Sequence, residues 1–301
     1  MNPSNYTTIS LFGLEMNPPR GITLGPLDIR FYGIVIALGL ILAVVYGLRR
    51  RQQFGLKEDD ILDGVLIIVP IAILCARAYY CIFSWHEYAA DPVSVFYIWK
   101  GGLAIYGGVI GAAVSVLVYC KVRAIKVTAV LDLVVLGFLI GQSIGRWGNF
   151  FNREAVGDLG EQVDWFMKMG LFNKNTGAYE YFHPTFLYES LWNAIGFVGL
   201  HFLSKKRRYD GQIALGYLFW YGLGRAIIEG LRMDSLYWGP FRVSQLLAAL
   251  TCVAAFVALA VLHFQNHDPE KLYVNQVAKA AQQPAPREEK EEDASSETPE
   301  A

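Results

Sequence analysis

The chain has 301 residues, of which 54% are hydrophobic and only 18% charged, against about 45–50% and about 25% in an ordinary soluble chain. A formal net charge of −1 gives no overall basic excess for a nucleic-acid partner, so none is expected. Cys75, Cys81, Cys120 and Cys252 lie in or beside apolar runs without C-x-x-C spacing, which argues against a disulfide framework or a zinc site.

In chain order, residues 1–28 form an N-terminal arm. It lacks a basic region followed by an apolar core, so no cleavable signal peptide is expected. Seven apolar segments follow, at 29–48, 61–80, 103–120, 128–145, 184–203, 212–230 and 244–264, each long enough as a helix to cross a hydrocarbon core of about 30 Å. Glycines interrupt the first and fourth, but Gly137, Gly141 and Gly145, like Gly107 and Gly111, recur at four-residue spacing. In lipid such a stripe lets a neighbouring helix backbone approach closely. The basic clusters RRR at 49–51, KVRAIK at 121–126 and KKRR at 205–208 follow the first, third and fifth segments, which the positive-inside rule makes cytoplasmic. The expected fold is therefore an all-α polytopic membrane protein of seven transmembrane helices, N-terminus outside and C-terminus cytoplasmic. Its membrane domain spans 29–264. The long loop at about 146–183, rich in aromatics, is expected to build a small extracytoplasmic cap. Residues 265–301, poor in apolar residues and ending REEKEEDASSETPEA, read as a disordered cytoplasmic tail.

Polar residues in or beside the outer half of the spans need a special account, because an ionisable group at mid-membrane costs about 2.5–3.5 kcal/mol or more and so faces a bundle interior or a wet cavity. That set comprises Tyr32, Arg77, Tyr106, Arg146, Asn149, Asn152, Glu154, His183, Glu189, Tyr221, Arg225, Glu229 and Arg232. In the sixth segment Arg225, Glu229 and Arg232 stand at i, i+4 and i+7, which puts plus, minus and plus on one helix face. Taken alone, that pattern also suits an ion pair that locks helices together. Taken together, the arginines outnumber the acids at one depth and point to an anion site, since the planar guanidinium fork binds phosphate oxygens bidentately. A phospholipid headgroup is the accessible phosphate at that level. The excess of arginine disfavours a metal, and no G-x-S-x-G nucleophile motif is present. His183, before a proline in FHPTFLYE, suits a helix entry better than a general base. If the protein is an enzyme, the nucleophile comes with a substrate, and the chain supplies positioning and charge stabilisation.

The run GQSIGRWGNFFNREAVG at 141–157 resembles the signature of the prolipoprotein diacylglyceryl transferase family. It stands in order with IRFYG at 29–33, GGLAIYGGVIG at 101–111, HPTFLYE at 183–189 and YGLGRAIIEGLR at 221–232. The resemblance covers about 29–262. It implies a multi-pass enzyme of the bacterial cytoplasmic membrane, its active site toward the outer leaflet. The thiol of a prolipoprotein lipobox cysteine would attack the phosphate-bearing glycerol carbon of phosphatidylglycerol, forming a thioether and releasing glycerol phosphate. Carried over by block, Arg146, Arg225 and Tyr106 are the expected catalytic residues. Tyr32, Asn149, Asn152, Glu154, Gly157, Glu189, Tyr221, Glu229 and Arg232 are expected to bind substrate. No metal or other cofactor is expected, and a monomer is. One position departs from the family: many members have His where this chain has Tyr106. A phenol titrates near 10, so Tyr106 suits orientation of the headgroup better than proton abstraction. A transporter for an anion or lipid could use the same arginine-lined cavity, but it calls for polar residues through both halves of the membrane, and the inner half offers chiefly Asp63 and Asp132. A non-catalytic scaffold or receptor would not need the arginine excess.

Overall fold

The structure is a computed structural model that describes residues 5–25, 27–154, 157, 166–232, 237–238 and 241–282. Seven long helices lie at the seven apolar segments: α1 (Phe31–Arg50), α2 (Glu58–Phe83), α3 (Ile105–Val122), α4 (Val127–Asn152), α5 (Thr185–Ser204), α6 (Gln212–Ile228) and α7 (Val243–His263). Among the described residues five helices are long and apolar enough to cross a membrane, namely α1 with the turn after it, α2, α3, α4 and α7. The other two differ for visible reasons. α5 carries Glu189, Ser190, Asn193 and His201, and α6 has only 17 residues.

The glycines behave as lipid-facing helices require. A Cβ on Gly39 of α1 would lie 3.4 Å from the backbone of Gly141 in α4, and one on Gly137 would lie 3.4 Å from Ala43, so α1 and α4 meet backbone to backbone. Gly145, the third member of that stripe, has nothing within 4 Å. A Cβ on Gly111 would meet Cys75 at 2.5 Å, and one on Gly107 would strike Tyr79 and the Cys75 carbonyl, which explains the tight α2–α3 pair. Outward side chains such as Ile41, Val109, Val253 and Phe256 are more than half exposed, an apolar girdle that calls for lipid rather than water.

The fold is predominantly but not wholly helical. Strands β1 (Tyr6–Leu11), β2 (Leu14–Met16), β5 (Met169–Asn173) and β6 (Ala178–Phe182) form an antiparallel sheet in the order β2-β1-β5-β6. Two small hairpins, β3 (Gly21–Leu24) with β4 (Leu27–Arg30) and β7 (Tyr237–Trp238) with β8 (Phe241–Arg242), complete the strands. The cap is thus shared: the N-terminal arm supplies two of its four main strands, where the sequence suggested the 146–183 loop alone. Ile9, Leu11, Met169, Leu171 and Phe182 of the sheet pack on Phe150 of α4 and Phe186 of α5, seating the cap on the ends of those helices. Much of the expected cap, 155–156 and 158–165, lies outside the described residues.

At the opposite end of the bundle the chain returns repeatedly to one place. Lys126, after α3, pairs with Asp210, after α5, at 3.0 Å. Arg207 donates to the Gln53 carbonyl at 2.8 Å and lies over the Phe54 ring. Asp132 of α4, fully buried, accepts from the backbone N–H groups of Gly211, Ile213 and Ala214 at 2.8–2.9 Å, capping α6 with a side chain from another helix. The disorder expected over 265–301 does not hold throughout: Tyr273–Gln282 forms a further helix, α8, whose Tyr273 N–H donates to Asp210 at 2.8 Å. Residues 283–301 lie outside the described residues.

Candidate functional site

The fourth apolar segment runs seven residues further as a helix than its hydropathy suggested, so α4 carries Arg146, Asn149 and Asn152 on its last two turns rather than in a loop. It stops at Arg153, whose φ of 60° is left-handed, with the Glu154 N–H returning to the Asn149 carbonyl at 2.9 Å. Arg153 is not a ligand candidate. Its buried guanidinium donates to the Thr7 carbonyl at 2.7 and 2.9 Å, to Asn17 Oδ1 at 2.8 Å and to the Pro18 carbonyl at 3.1 Å, stitching the N-terminal arm onto the end of α4.

The focus of the site is Glu189 on the first turns of α5. Its carboxylate is buried and receives three guanidinium groups: Arg146 of α4 on Oε2, and Arg225 Nη1 at 3.2 Å and Arg232 Nη1 at 3.0 Å on Oε1. Arg225 also pairs through Nη2 with Glu229 Oε2 at 2.6 Å. The i, i+4, i+7 face is broken after its second member. α6 ends at Ile228, residues 229–231 form a 3-10 turn, and Arg232 is extended. This break lets Arg232 turn back to Glu189 while its backbone bridges Gly157. Gly157 donates to the His183 carbonyl at 2.8 Å, and a Cβ there would fall 2.7 Å from His183 and 2.8 Å from the Leu231 carbonyl. Only glycine fits that pinch.

Electrostatically the site is asymmetric. Glu189 and Glu229 side chains are 5% and 2% exposed, whereas Arg146 and Arg225 keep 22% and 19%. The carboxylates are therefore sealed behind guanidinium groups that still show an edge to the outside. Such an edge, fixed in position from behind, suits a phosphate or a developing phosphate anion.

The site is held by packing the sequence reading did not identify. Trp192 of α5 and Trp220 of α6 stack at 4.3 Å, and each indole N–H donates to the other's backbone carbonyl at 2.9 Å. Trp192 occupies the space over Gly224, and Trp220 that over Gly196. The pattern W-x-x-x-G occurs once on each helix, WNAIG at 192–196 and WYGLG at 220–224, and was the available signal. At the residue after Glu189, Ser143 Oγ donates to the Ser190 carbonyl at 2.9 Å and Ser190 Oγ to the Ser143 carbonyl at 2.7 Å, tying α4 to α5. Arg242, also missed, donates from Nη1 to the Glu229 carbonyl.

Other expected residues stand further out. Tyr32 lies across Gly148, where a Cβ would meet its ring at 2.7 Å, so its phenol sits over α4 between Arg146 and Asn149 in sequence. Asn149 is half-buried, and its side chain makes no hydrogen bond among the described residues. Among the described residues Asn152 Nδ2 reaches only the exposed Glu154, at 3.4 Å. Tyr106, on the first turn of α3, is 52% exposed, and among the described residues no hydrogen bond joins it to the arginines. Tyr221 lines a narrow cleft beside Glu189 and Arg225. His183 shares a hydrogen bond with Tyr188 at 3.1 Å, in keeping with a helix entry. Arg77 leaves the expected arginine group altogether: it is buried and donates to the carbonyls of Ser94, Val95, Gly101 and Gly102 at 2.7–3.0 Å, so it organises the α2–α3 connection.

Residues 19–261 match the family model described as prolipoprotein diacylglyceryl transferase, which begins ten residues before the motif resemblance and takes in part of the N-terminal arm. The chain is 43% identical over 254 residues to a protein of Streptococcus mutans serotype c, covering 83% of this chain and 96% of that one. It is 42% identical to one of Streptococcus agalactiae serotype V, covering 83% and 97%, and 41% identical to one of Ligilactobacillus salivarius, covering 83% and 94%. All three are named phosphatidylglycerol–prolipoprotein diacylglyceryl transferase. With its signature arginines gathered on one buried carboxylate, the chain belongs to the prolipoprotein diacylglyceryl transferase family.

Proposed function

We propose that this protein transfers the diacylglyceryl group of phosphatidylglycerol to the lipobox cysteine of prolipoproteins, the first step of bacterial lipoprotein modification. The observation that carries the reading is the convergence of Arg146, Arg225 and Arg232 on Glu189 in a chain of this family. The cysteine sulfur attacks the glycerol carbon that bears the phosphate ester. A C–S bond forms, the C–O bond to phosphate breaks with its electron pair, and glycerol phosphate leaves. The exposed edges of Arg146 and Arg225 hold the phosphate and take up the charge that builds on the departing oxygen. Glu189 and Glu229 keep those guanidinium groups aimed, and Arg232 with Gly157 closes the loop over them. Tyr32, Asn149 and Tyr221 add neutral hydrogen-bonding groups to the headgroup without adding charge. Asn152 and Glu154 lie at the rim, where the peptide arrives. Tyr106 orients the headgroup rather than taking the thiol proton. A free thiol titrates near 8.5, and a positive field favours its thiolate.

The setting we infer is the bacterial cytoplasmic membrane, crossed by all seven helices of a monomer, with the arginine site toward the outer leaflet. The basic clusters after α1, α3 and α5 support that orientation. The test is a mass assay with purified protein, phosphatidylglycerol and a lipobox peptide. The peptide should gain one diacylglyceryl group, and Arg146→Ala should lower kcat by about 10²–10³, as loss of one charge-stabilising donor does. No mass gain, with phosphatidylglycerol still retained through Arg146, would leave an anion site and favour lipid binding or transport.

A further inference from the structure

Asn193 lies one turn after Glu189 on α5, so the two side chains share a helix face. It is 2% exposed and makes no hydrogen bond among the described residues; its Oδ1 is buried without a partner. A buried amide left unpaired costs on the order of 1–3 kcal/mol, and native chains rarely carry one without cause. This amide forms part of the wall of the narrow cleft that also presents Glu189, Tyr221 and Arg225, with Trp192 and Gly224 closing its apolar side. The neighbouring Tyr221, also on the wall, is stacked on Tyr217, whose hydroxyl accepts from Gln142 Nε2 at 2.9 Å, so Tyr221 is held in place from behind.

An amide both donates and accepts. Its natural complement is a group that does the same, an alcohol. An ammonium headgroup would also donate, but Arg225 and Arg146 beside the cleft repel it. A thiol is a weak donor and is drawn by the same arginines toward its thiolate, which donates nothing. What remains is a neutral hydroxyl carried on an anion. We propose that Asn193 is a specificity-determining residue that reads a hydroxyl of the donor's headgroup while the arginines hold its phosphate. This rests on phosphatidylglycerol as donor and adds how the chain distinguishes it from other anionic phosphodiesters.

The experiment compares phosphatidylglycerol with phosphatidylpropanol, which keeps the phosphodiester and the three headgroup carbons but lacks both hydroxyls. The unaltered protein should favour phosphatidylglycerol in kcat/KM with a lipobox peptide. Asn193→Leu, of similar branched shape but without polar atoms, should lower that preference about tenfold, the worth of one buried hydrogen bond. Asn193→Ser, which keeps a donor and acceptor, should retain most of it. An unchanged ratio in Asn193→Leu overturns the proposal, as does an equal loss of preference in the Ser variant. Should Asn193→Leu fail to fold, Asn193→Ala takes its place, since the ratio does not depend on the amount of active protein. Retention of the two lipids from equimolar micelles, read by mass spectrometry, gives the same ratio without chemistry. Preferential retention lost in Asn193→Leu, with no transfer from either lipid, would sink the transferase reading and leave the subsite standing.

Discussion

Glu189 is the residue on which the site turns. It pairs with cations from α4, from α6 and from the segment after α6, so its charge, more than its shape, determines whether they converge. Glu189→Gln keeps the shape and removes the charge. Breaking a buried pair by deleting one partner costs about 3–5 kcal/mol, so the variant should melt measurably lower in detergent and lose about 10² in kcat once its arginines are no longer aimed. A thermal midpoint and kcat both within error of the parent would mean that Glu229 alone organises the arginines. At this scale the sequence was informative about depth and poor about direction. Arg146, Glu189, Arg225, Glu229 and Arg232 were all legible as charges at one level, and they meet. Arg77 stands among the same outer-half residues, yet its donors point into the 94–102 backbone; hydropathy reports how deep a side chain lies, not around which side of a helix it points. Asn193 went unremarked for the converse reason. A lone amide in an apolar run carries no signal until its missing partners are visible.

Between elements, the α5–α6 contact depends on two glycines and two tryptophans in reciprocal order. A Cβ at Gly224 would run into the Trp192 ring and one at Gly196 into the Trp220 ring. Gly224→Ala and Gly196→Ala should each destabilise by about 1–3 kcal/mol, the usual cost of overpacking. Trp192→Ala should relieve the first substitution and not the second, since each indole covers one glycine. A double-mutant cycle on thermal midpoints in detergent measures this pairing. Equal relief of both glycine variants would show general loosening instead. Apart from the seven further residues of α4, the helices themselves were readable to within a few residues, because a continuous apolar run has only one low-cost conformation in lipid. The cap sheet was not. Its strands are three to six residues long, and β1 is defined by pairing with β5, about 160 residues away, a register that no local pattern encodes. α6 was read two residues too long for a similar reason: the i, i+4, i+7 charges look helical, while the tertiary pull of Glu189 on Arg232 ends the helix first.

Across the whole molecule, the pairings constrain which ends of the chain share a side. The sheet joins β1, before α1, to β5 and β6, between α4 and α5, so an even number of crossings separates them. The opposite end joins Gln53, after α1, Lys126, after α3, and Asp210, after α5, to α8 beyond α7. These pairings require α1, α4 and α5 each to pass from one side to the other and α2 with α3, and α6 with α7, to return to the side they left, which fits our proposal that all seven helices cross. In that proposal α5 and α6 are poor spans by composition, but Glu189 and Arg225 meet each other and Arg146 of α4 rather than lipid. Their charge is tolerated because it is paired inside the bundle. Topology can then be read with two cysteines in a background lacking the native four. Thr176→Cys, in the exposed turn between β5 and β6, should react with a membrane-impermeant maleimide on spheroplasts. Lys279→Cys, on exposed α8, should react only after lysis. Labelling of both from the same side would mean an even number of crossings and would remove α5 or α6 from the membrane, taking Glu189 or Arg225 with it. Labelling of Lys279→Cys alone would invert the protein, turning the arginine site to the cytoplasmic leaflet and putting the basic clusters after α1, α3 and α5 outside, against the positive-inside rule.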